Sequence, residues 1–194
     1  MLKQLILGTI VGGIILFVWS AIAWMVIPWP GDPFLKFTDE AAVTQTLTAN
    51  APRAGNYLLP NEPKRTPGMT DEQYKAAEQV AMDQGQRGPM IFAAIRLGPM
   101  SMTKPLIIQF FIQLVLALLA CVLLMKTCGL AYSKRVLFVV IIGVMIFIGG
   151  HLEQWNWFSF SNAYTFMELG AIVIGWFLAA LVMAKFIKGK AVTA

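Results

Sequence analysis

The chain has 194 residues, of which 58% are hydrophobic and only 13% are charged, a composition that excludes intrinsic disorder and an ordinary soluble domain. Fifteen basic and ten acidic residues give a net charge of +5, which we expect to mark membrane topology and not a nucleic acid binding surface. Two cysteines and one histidine leave no disulfide framework and no catalytic signature, so we expect no enzyme.

Four apolar segments are each long enough to cross a bilayer, which takes about 20 helical residues for about 30 Å of hydrocarbon. They cover residues 4–28, 105–126, 135–154 and 164–187. The sequence therefore predicts an all-α integral membrane protein with a four-helix bundle. An alternative for the first segment is a signal peptide cleaved after Ala21-Ile22-Ala23, but the apolar run continues to Ile27 and favours an uncleaved helix.

Basic flanks predict the orientation, because Lys and Arg collect on the cytoplasmic side of short loops. The basic residues that flank the spans are Lys3, Lys126, Lys134, Arg135, Lys185, Lys188 and Lys190. All of them fall on one side of an even number of spans. We therefore expect a multi-pass protein of the bacterial inner (cytoplasmic) membrane with both termini in the cytoplasm, residues 188–194 forming a cytoplasmic tail.

Residues 29–104 separate helix 1, within residues 1–28, from helices 2 to 4, within residues 105–187. This insert has equal numbers of basic and acidic residues, and we expect it outside the cytoplasm. Thr38 is predicted to cap one short helix, and Thr70 with Gln73 forms the capping-box pattern of a second helix. Two segments bounded by Gly and Pro, 55–60 and 90–95, read as strands. The sequence predicts a small α+β extracytoplasmic insert.

Several motifs carry a family resemblance. They are the opening LGTIVGGIILFVWSAIAWMVIPWP, Gly55-x-Tyr57-x-x-Pro60, Gly88-Pro89, and the late WNWFSF followed by Gly175-Trp176. Together they resemble a scattered family of uncharacterised bacterial four-span membrane proteins, over most of the chain. That family has no assigned activity, cofactor or catalytic residues, so the resemblance implies architecture alone.

Polar residues inside the predicted spans are the strongest functional candidates, because ionisable groups in hydrocarbon are costly and usually have partners. They are Glu168, His151, Glu153, Gln109 and Gln113, all near the same side of the membrane. One interpretation is structural, with Glu168 paired to His151, Lys104 or Arg96 and the glutamines joining helices. The other is a proton relay or ligand site.

Metal and cofactor sites are not expected. His151, Glu153 and Glu168 are ligand types, but their spacing matches no metal motif, so the sequence predicts no metal and no cofactor. Cys121 and Cys128 fall near the cytoplasmic side, where reducing conditions favour structural thiols over a redox pair.

Small residues predict where the helices meet. Gly8 and Gly12 form one groove on the first span, and Ala171, Gly175 and Ala179 recur every four residues on the last span. Packing within the bundle and contact with another membrane protein are both open for these grooves; the first span is the better candidate for an external partner, and packing within the bundle is favoured for the last span.

Aromatic residues gather toward the predicted outer boundary. Trp24, Trp29, Trp155 and Trp157 are interpreted as interfacial anchors in contact with the lipid bilayer, as are Trp19, Phe158 and Phe160. An aromatic cage for a quinone or a lipid tail is the alternative.

The leading functional hypothesis is a non-catalytic accessory, scaffold or assembly subunit of a larger membrane complex, with other integral membrane proteins as partners. The alternative is a small carrier or binding protein for a hydrophobic or protonated ligand, centred on Glu168. The chain lacks the inverted repeats and broken helix pairs of many transporters, which argues against the carrier without excluding it.

Overall fold

The structure is a computed structural model that describes residues 2–127 and 129–187. Cys128, Lys188, Lys190 and the predicted tail at 188–194 therefore lie outside the described residues. The chain divides into two compact units, one formed by Met1–Leu35 with Ser101–Ala194 and the other by Lys36–Met100. The first unit is called the bundle below, and the second is called the insert.

The elements follow one another in a simple order. The bundle contains α1 (Leu2–Met25), α4 (Thr103–Leu124), α5 (Tyr132–Phe147), a π-helical turn (Ile148–Leu152), α6 (Glu153–Phe158) and α7 (Asn162–Phe186). The insert contains α2 (Glu40–Asn50), β1 (Gly55–Leu59), α3 (Asp71–Arg87) and β2 (Ile91–Ile95).

Four helices among the described residues are long and apolar enough to cross a membrane, as the sequence predicts. They are Leu2–Met25, Thr103–Leu124, Tyr132–Phe158 and Asn162–Phe186, of which the shortest has 22 residues. At about 1.5 Å per residue, even this helix reaches the thickness of the hydrocarbon core, about 30 Å. The length and composition of these helices thus indicate a multi-pass membrane protein.

Helix α7 is the centre of the bundle, because both α1 and α5 pack against it while α4 packs mainly on α1. Its buried face carries small residues at four-residue intervals, Ala171, Gly175 and Ala179. Such a face allows neighbouring backbones to approach closely.

The bundle is tightly packed at the end where α4 ends and α5 begins, which we call the closed end. Cys121, Leu124, Val139, Met183 and Ile187 have the largest fully buried side chains there. Backbone carbonyls near the end of α7 are also engaged from α5. The Arg135 guanidinium donates to the carbonyl of Ile187, and the Tyr132 hydroxyl donates to that of Leu181 at 2.8 Å.

Helix α2 of the insert begins one residue later than predicted. The carboxylate of Asp39, and not the hydroxyl of Thr38, caps the helix by accepting a hydrogen bond from the backbone nitrogen of Ala42 at 2.9 Å. The cap is the residue immediately before the helix, and at that place Asp39 also brings a negative charge to the positive end of the helix dipole.

Helix α3 has the predicted capping box. The Thr70 hydroxyl accepts from the Gln73 backbone, and the Gln73 side chain accepts from the Thr70 backbone. The last residue of the helix is Arg87, and its C-cap is Gly88, whose φ of 65° suits glycine.

The predicted strands are present and pair antiparallel, with Gly55 opposite Ile95 and Leu59 opposite Ile91. Ala51 is the one buried residue of the insert, which is described throughout. A unit with so small a core has little hydrophobic stabilisation of its own.

Candidate functional site

A cavity of about 580 Å³ lies in the half of the bundle where α1 ends and α4 and α7 begin, which we call the open end. Its apolar wall comes mainly from α1 and α7. The polar side chains on its lining are Ser20, Gln109, Gln113, His151, Tyr164 and Glu168. The helices thus bring four of the five polar residues predicted from the sequence to one cavity.

Glu168 is the central polar residue of this cavity. It lies on the buried face of α7, one turn before Ala171, and only 4% of its surface is exposed. One carboxyl oxygen, Oε1, is buried without a hydrogen-bond partner. The Tyr164 hydroxyl, one turn earlier, interacts with the carboxyl group.

His151 is the nearest basic group to this carboxyl. Its Nδ1 lies 3.8 Å from Oε2 of Glu168, which is ion-pair distance but too long for a hydrogen bond. Nδ1 is itself buried without a hydrogen-bond partner, and the ring stacks on Phe147 with centroids 6.0 Å apart. The imidazole of His151 and the carboxyl of Glu168 thus lie close together without forming a hydrogen bond.

The π-helical turn that carries His151 was not predicted, because the sequence indicates only a continuous helix to residue 154. The signal that could have suggested it is the pair Gly149-Gly150, since glycine lowers the stability of a regular helix. A π turn inserts an extra residue and changes which side chains face the interior, and such turns occur frequently at functional sites.

Gln109 and Gln113 lie one turn apart on α4, and both line the cavity. Glu153 does not line it; this side chain belongs to an exposed residue at the start of α6. Lys104 is also exposed and off the cavity, and Arg96 belongs to the insert. The pairing of Glu168 with Lys104, one of the predicted alternatives, is therefore wrong.

Tryptophans shape the walls of the cavity. The Trp19 indole donates to the carbonyl of Ala171 at 2.8 Å and packs so closely on Gly175 that a Cβ there would lie 2.6 Å from Cδ1 of the ring. Trp24 meets Tyr164 edge to face, with centroids 6.3 Å apart. The sequence does not predict the contact between Trp19 and Gly175, because the two residues are far apart in the chain.

The other predicted anchors differ in exposure. Trp29 packs on Gly170 and donates to the carbonyl of Ala23 at 2.6 Å, so this ring is part of the bundle. Trp155 is 46% exposed and donates to Asn162 at 2.8 Å, whereas Trp157 is 71% exposed. Their interfacial role stays a prediction.

The groove on α1 is filled from within the bundle. A Cβ at Gly8 would lie 3.0 Å from Sγ of Cys121, and one at Gly12 would lie 2.7 Å from Sδ of Met183. The expectation that Gly8 and Gly12 are available to another protein is therefore wrong, because α4 and α7 occupy the space.

A second cavity, of about 420 Å³, lies in the insert beside α3. Glu62, Tyr74 and Glu78 supply its ionisable groups. The hydrogen bond and negative charge of Glu78 raise the pKa of the Tyr74 hydroxyl, while Arg65 lies over the ring, 4.9 Å from its centroid. These side chains are largely solvated, which weakens any single electrostatic contact.

Residues 2–127 and 129–187 contain no group of three His, Cys, Asp or Glu side chains placed to hold a metal ion. Comparison with known protein families, with curated proteins and with solved structures found no match for the chain. The family resemblance of the motifs therefore stays an expectation. The arrangement at Glu168 can accept or balance the polar head of a ligand inside an apolar chamber.

Proposed function

We propose that this protein binds an amphiphilic ligand within the membrane, as a small carrier or binding protein. The observation that carries the proposal is the buried carboxyl of Glu168, which lines a cavity and has an oxygen without a hydrogen-bond partner. Burying an ionisable group is costly unless it gains a partner. A ligand with a polar head supplies that partner.

The size of the cavity supports the same function. At about 580 Å³ it falls within the range of small-molecule sites, roughly 300–1,000 Å³. Its walls are mainly apolar and aromatic, with a few polar groups converging on one region, which is typical of ligand sites. The apolar wall suits the hydrophobic part of an amphiphile.

We propose binding without catalysis. Ser20 is the serine on the lining, and its hydroxyl donates to the carbonyl of Phe17 at 2.8 Å, so it is not held by a general base. The pair Glu168 and His151 alone supplies too few groups to specify a reaction.

Retention of a ligand during purification tests the proposal. The protein is extracted from native membranes in mild detergent and its small-molecule content is measured by mass spectrometry. We expect a stoichiometric amphiphile in the unmodified protein and its loss in Gln113→Trp, which fills the cavity. The matched control is Ile112→Trp, because Ile112 precedes Gln113 on the same helix but is 45% exposed and off the cavity. Equal ligand content in both variants would refute the proposal.

We also propose that both termini are cytoplasmic in a bacterial inner membrane and that the insert lies outside, as the basic flanks indicate. Single cysteines at Asn61 and Ser133, each in a Cys128→Ser background, test this with an impermeant thiol reagent; Cys121 is fully buried. In intact cells Asn61→Cys should react and Ser133→Cys should not. The reverse pattern would invert the topology.

A role as an accessory or assembly subunit is a second proposal, now supported by the insert and not by the grooves of the bundle. Leu59, Val80 and Met82 are each more than half exposed in a unit with a minimal core, and exposed apolar surface marks interaction sites. A stoichiometric protein partner in the same purification would favour this role. Loss of that partner in Val80→Ser, with Glu72→Ser as a control on the same helix, would assign the contact.

A further inference from the structure

We infer that the ligand of the cavity is an organic cation with apolar substituents, held by the carboxylate of Glu168 among aromatic rings. The inference rests on the proposed function and adds the chemistry of the ligand. It depends on the charge of the lining, on the oxygen of Glu168 that has no hydrogen-bond partner, and on the placement of the aromatic side chains.

Within the described part of the chain, the lining has one acidic side chain, and no Lys or Arg lies beside it. Glu168 is the buried charged residue of the described chain, and no Lys or Arg lines the cavity within residues 2–127 and 129–187. His151 is the nearest basic group, at 3.8 Å and without a hydrogen bond. An anionic ligand would face Glu168 with like charge, whereas a cation balances the carboxylate in a medium of low dielectric constant.

Two hydrogen-bond donors on the cavity lining are engaged elsewhere. The Trp19 indole donates to Ala171, and the Ser20 hydroxyl donates to Phe17. Neither is free to stabilise the carboxylate, and Oε1 of Glu168 has no partner. A cationic ligand would supply the partner that Oε1 lacks.

Aromatic side chains from two helices line the same cavity as the carboxyl of Glu168. Trp19 and Trp24 come from α1, and Tyr164 and Trp176 come from α7. The faces of such rings attract cations, and the attraction grows when both partners are desolvated. A carboxylate among aromatic rings recognises a substituted ammonium or phosphonium ion through its charge and its apolar groups together.

Binding of three probes of similar shape tests the inference. Tetraphenylphosphonium, neutral triphenylphosphine oxide and anionic tetraphenylborate are titrated calorimetrically into the purified full-length protein in detergent. We expect saturable 1:1 binding of the phosphonium ion, about tenfold or more tighter than the neutral probe, and no saturable binding of the borate. Each titration is corrected by the same titration into the Gln113→Trp variant, which blocks the cavity.

Two matched pairs of variants assign the binding groups. Glu168→Gln keeps the volume and should weaken phosphonium binding about tenfold or more, whereas Glu153→Gln, an exposed acid off the cavity, should leave it unchanged. Trp24→Leu should weaken it, and Trp157→Leu should not. A thermal unfolding curve for each variant confirms that it is folded.

The outcomes separate this inference from the proposed function. Equal binding of neutral and cationic probes, lost in Gln113→Trp, would overturn the cation while keeping the cavity as a ligand site. Absence of saturable phosphonium binding would also overturn the inference. Phosphonium binding that is unaffected by Gln113→Trp and by Glu168→Gln would place the probe elsewhere, and would count against the cation site in the cavity.

Discussion

A glycine contacts a large side chain at each end of the bundle, but the packing around the two glycines differs. At the closed end Gly12 leaves room for Met183, and the neighbouring Leu124 is fully buried. At the open end Gly175 leaves room for the Trp19 ring, yet a cavity of about 580 Å³ lies beside that ring. The closed end is close-packed, whereas the open end is less closely packed and contains a cavity with a buried carboxyl.

The contrast gives each end a distinct expected response to substitution. In a close-packed interior, added volume strains its neighbours and removed hydrogen bonds leave polar groups unpaired. Beside a cavity, neighbours have space to move, and an ionisable group without partners is a cost that substitution can remove. Functional sites are commonly built at some expense of stability in this way.

The largest effect is expected for Gly12→Leu, compared with Gly175→Leu. Gly12→Leu should lower the free energy of unfolding by about 3 kcal/mol or more, because Met183 is fully buried and has little space to withdraw. Gly175→Leu should cost about 1 kcal/mol, because Trp19 can turn into the cavity. Reversible unfolding in mixed micelles measures both, and an equal loss in the two variants would remove the distinction between the ends.

Arg135→Ala should have the next largest effect. The guanidinium donates to the carbonyl of Ile187 where α7 ends, and its partly buried position makes the lost bond expensive, about 2 kcal/mol. Lys134→Ala removes an exposed neighbouring charge on the same helix and should change the free energy of unfolding by less than about 0.5 kcal/mol. A loss that is the same in both variants would point to the positive charge at the start of α5 and not to this bond.

Glu168→Leu should act in the opposite direction and raise the free energy of unfolding by about 1 kcal/mol. Oε1 of the carboxyl has no hydrogen-bond partner, so leucine removes a buried ionisable group that is incompletely satisfied. Glu153→Leu, at an exposed position, is the control and should have little effect. Destabilisation by Glu168→Leu would mean that the carboxyl stabilises the fold, and the open end would then differ from the closed end in degree only.

Much of this architecture follows from local patterns in the sequence. Apolar length predicts the four helices, and the capping box at Thr70 predicts the start of α3, because both signals lie within a few neighbouring residues. Counting residues along each helix also predicts that the polar side chains lie near the same side of the membrane: Glu168, His151 and the two glutamines. Antiparallel packing then makes a shared polar region plausible from the sequence alone.

Other features depend on which helix faces which, and sequence periodicity does not contain that information. The groove at Gly8 and Gly12 reads equally well as an internal or an external contact until α7 is placed against α1. The contact between Trp19 and Gly175 joins residues far apart in the chain. The π turn before α6 was missed because it changes the face of the helix without interrupting the apolar run.

The smallest expected effect comes from a matched pair that removes one hydrogen bond at each end. Tyr132→Phe removes the bond to the Leu181 carbonyl, and Trp19→Phe removes the bond to the Ala171 carbonyl, each 2.8 Å long. Bonds of this kind between membrane helices contribute about 0.6 kcal/mol, so Tyr132→Phe should lose about that amount. Trp19→Phe also shrinks a ring that packs on Gly175 and enlarges the cavity, so the free energy of unfolding should fall somewhat more.

Ligand binding separates the two variants further: Tyr132→Phe should leave the affinity for tetraphenylphosphonium unchanged, whereas Trp19→Phe should weaken it. Weakened binding in Tyr132→Phe would mean that the closed end shapes the cavity from a distance, and that the two ends of the bundle are not independent.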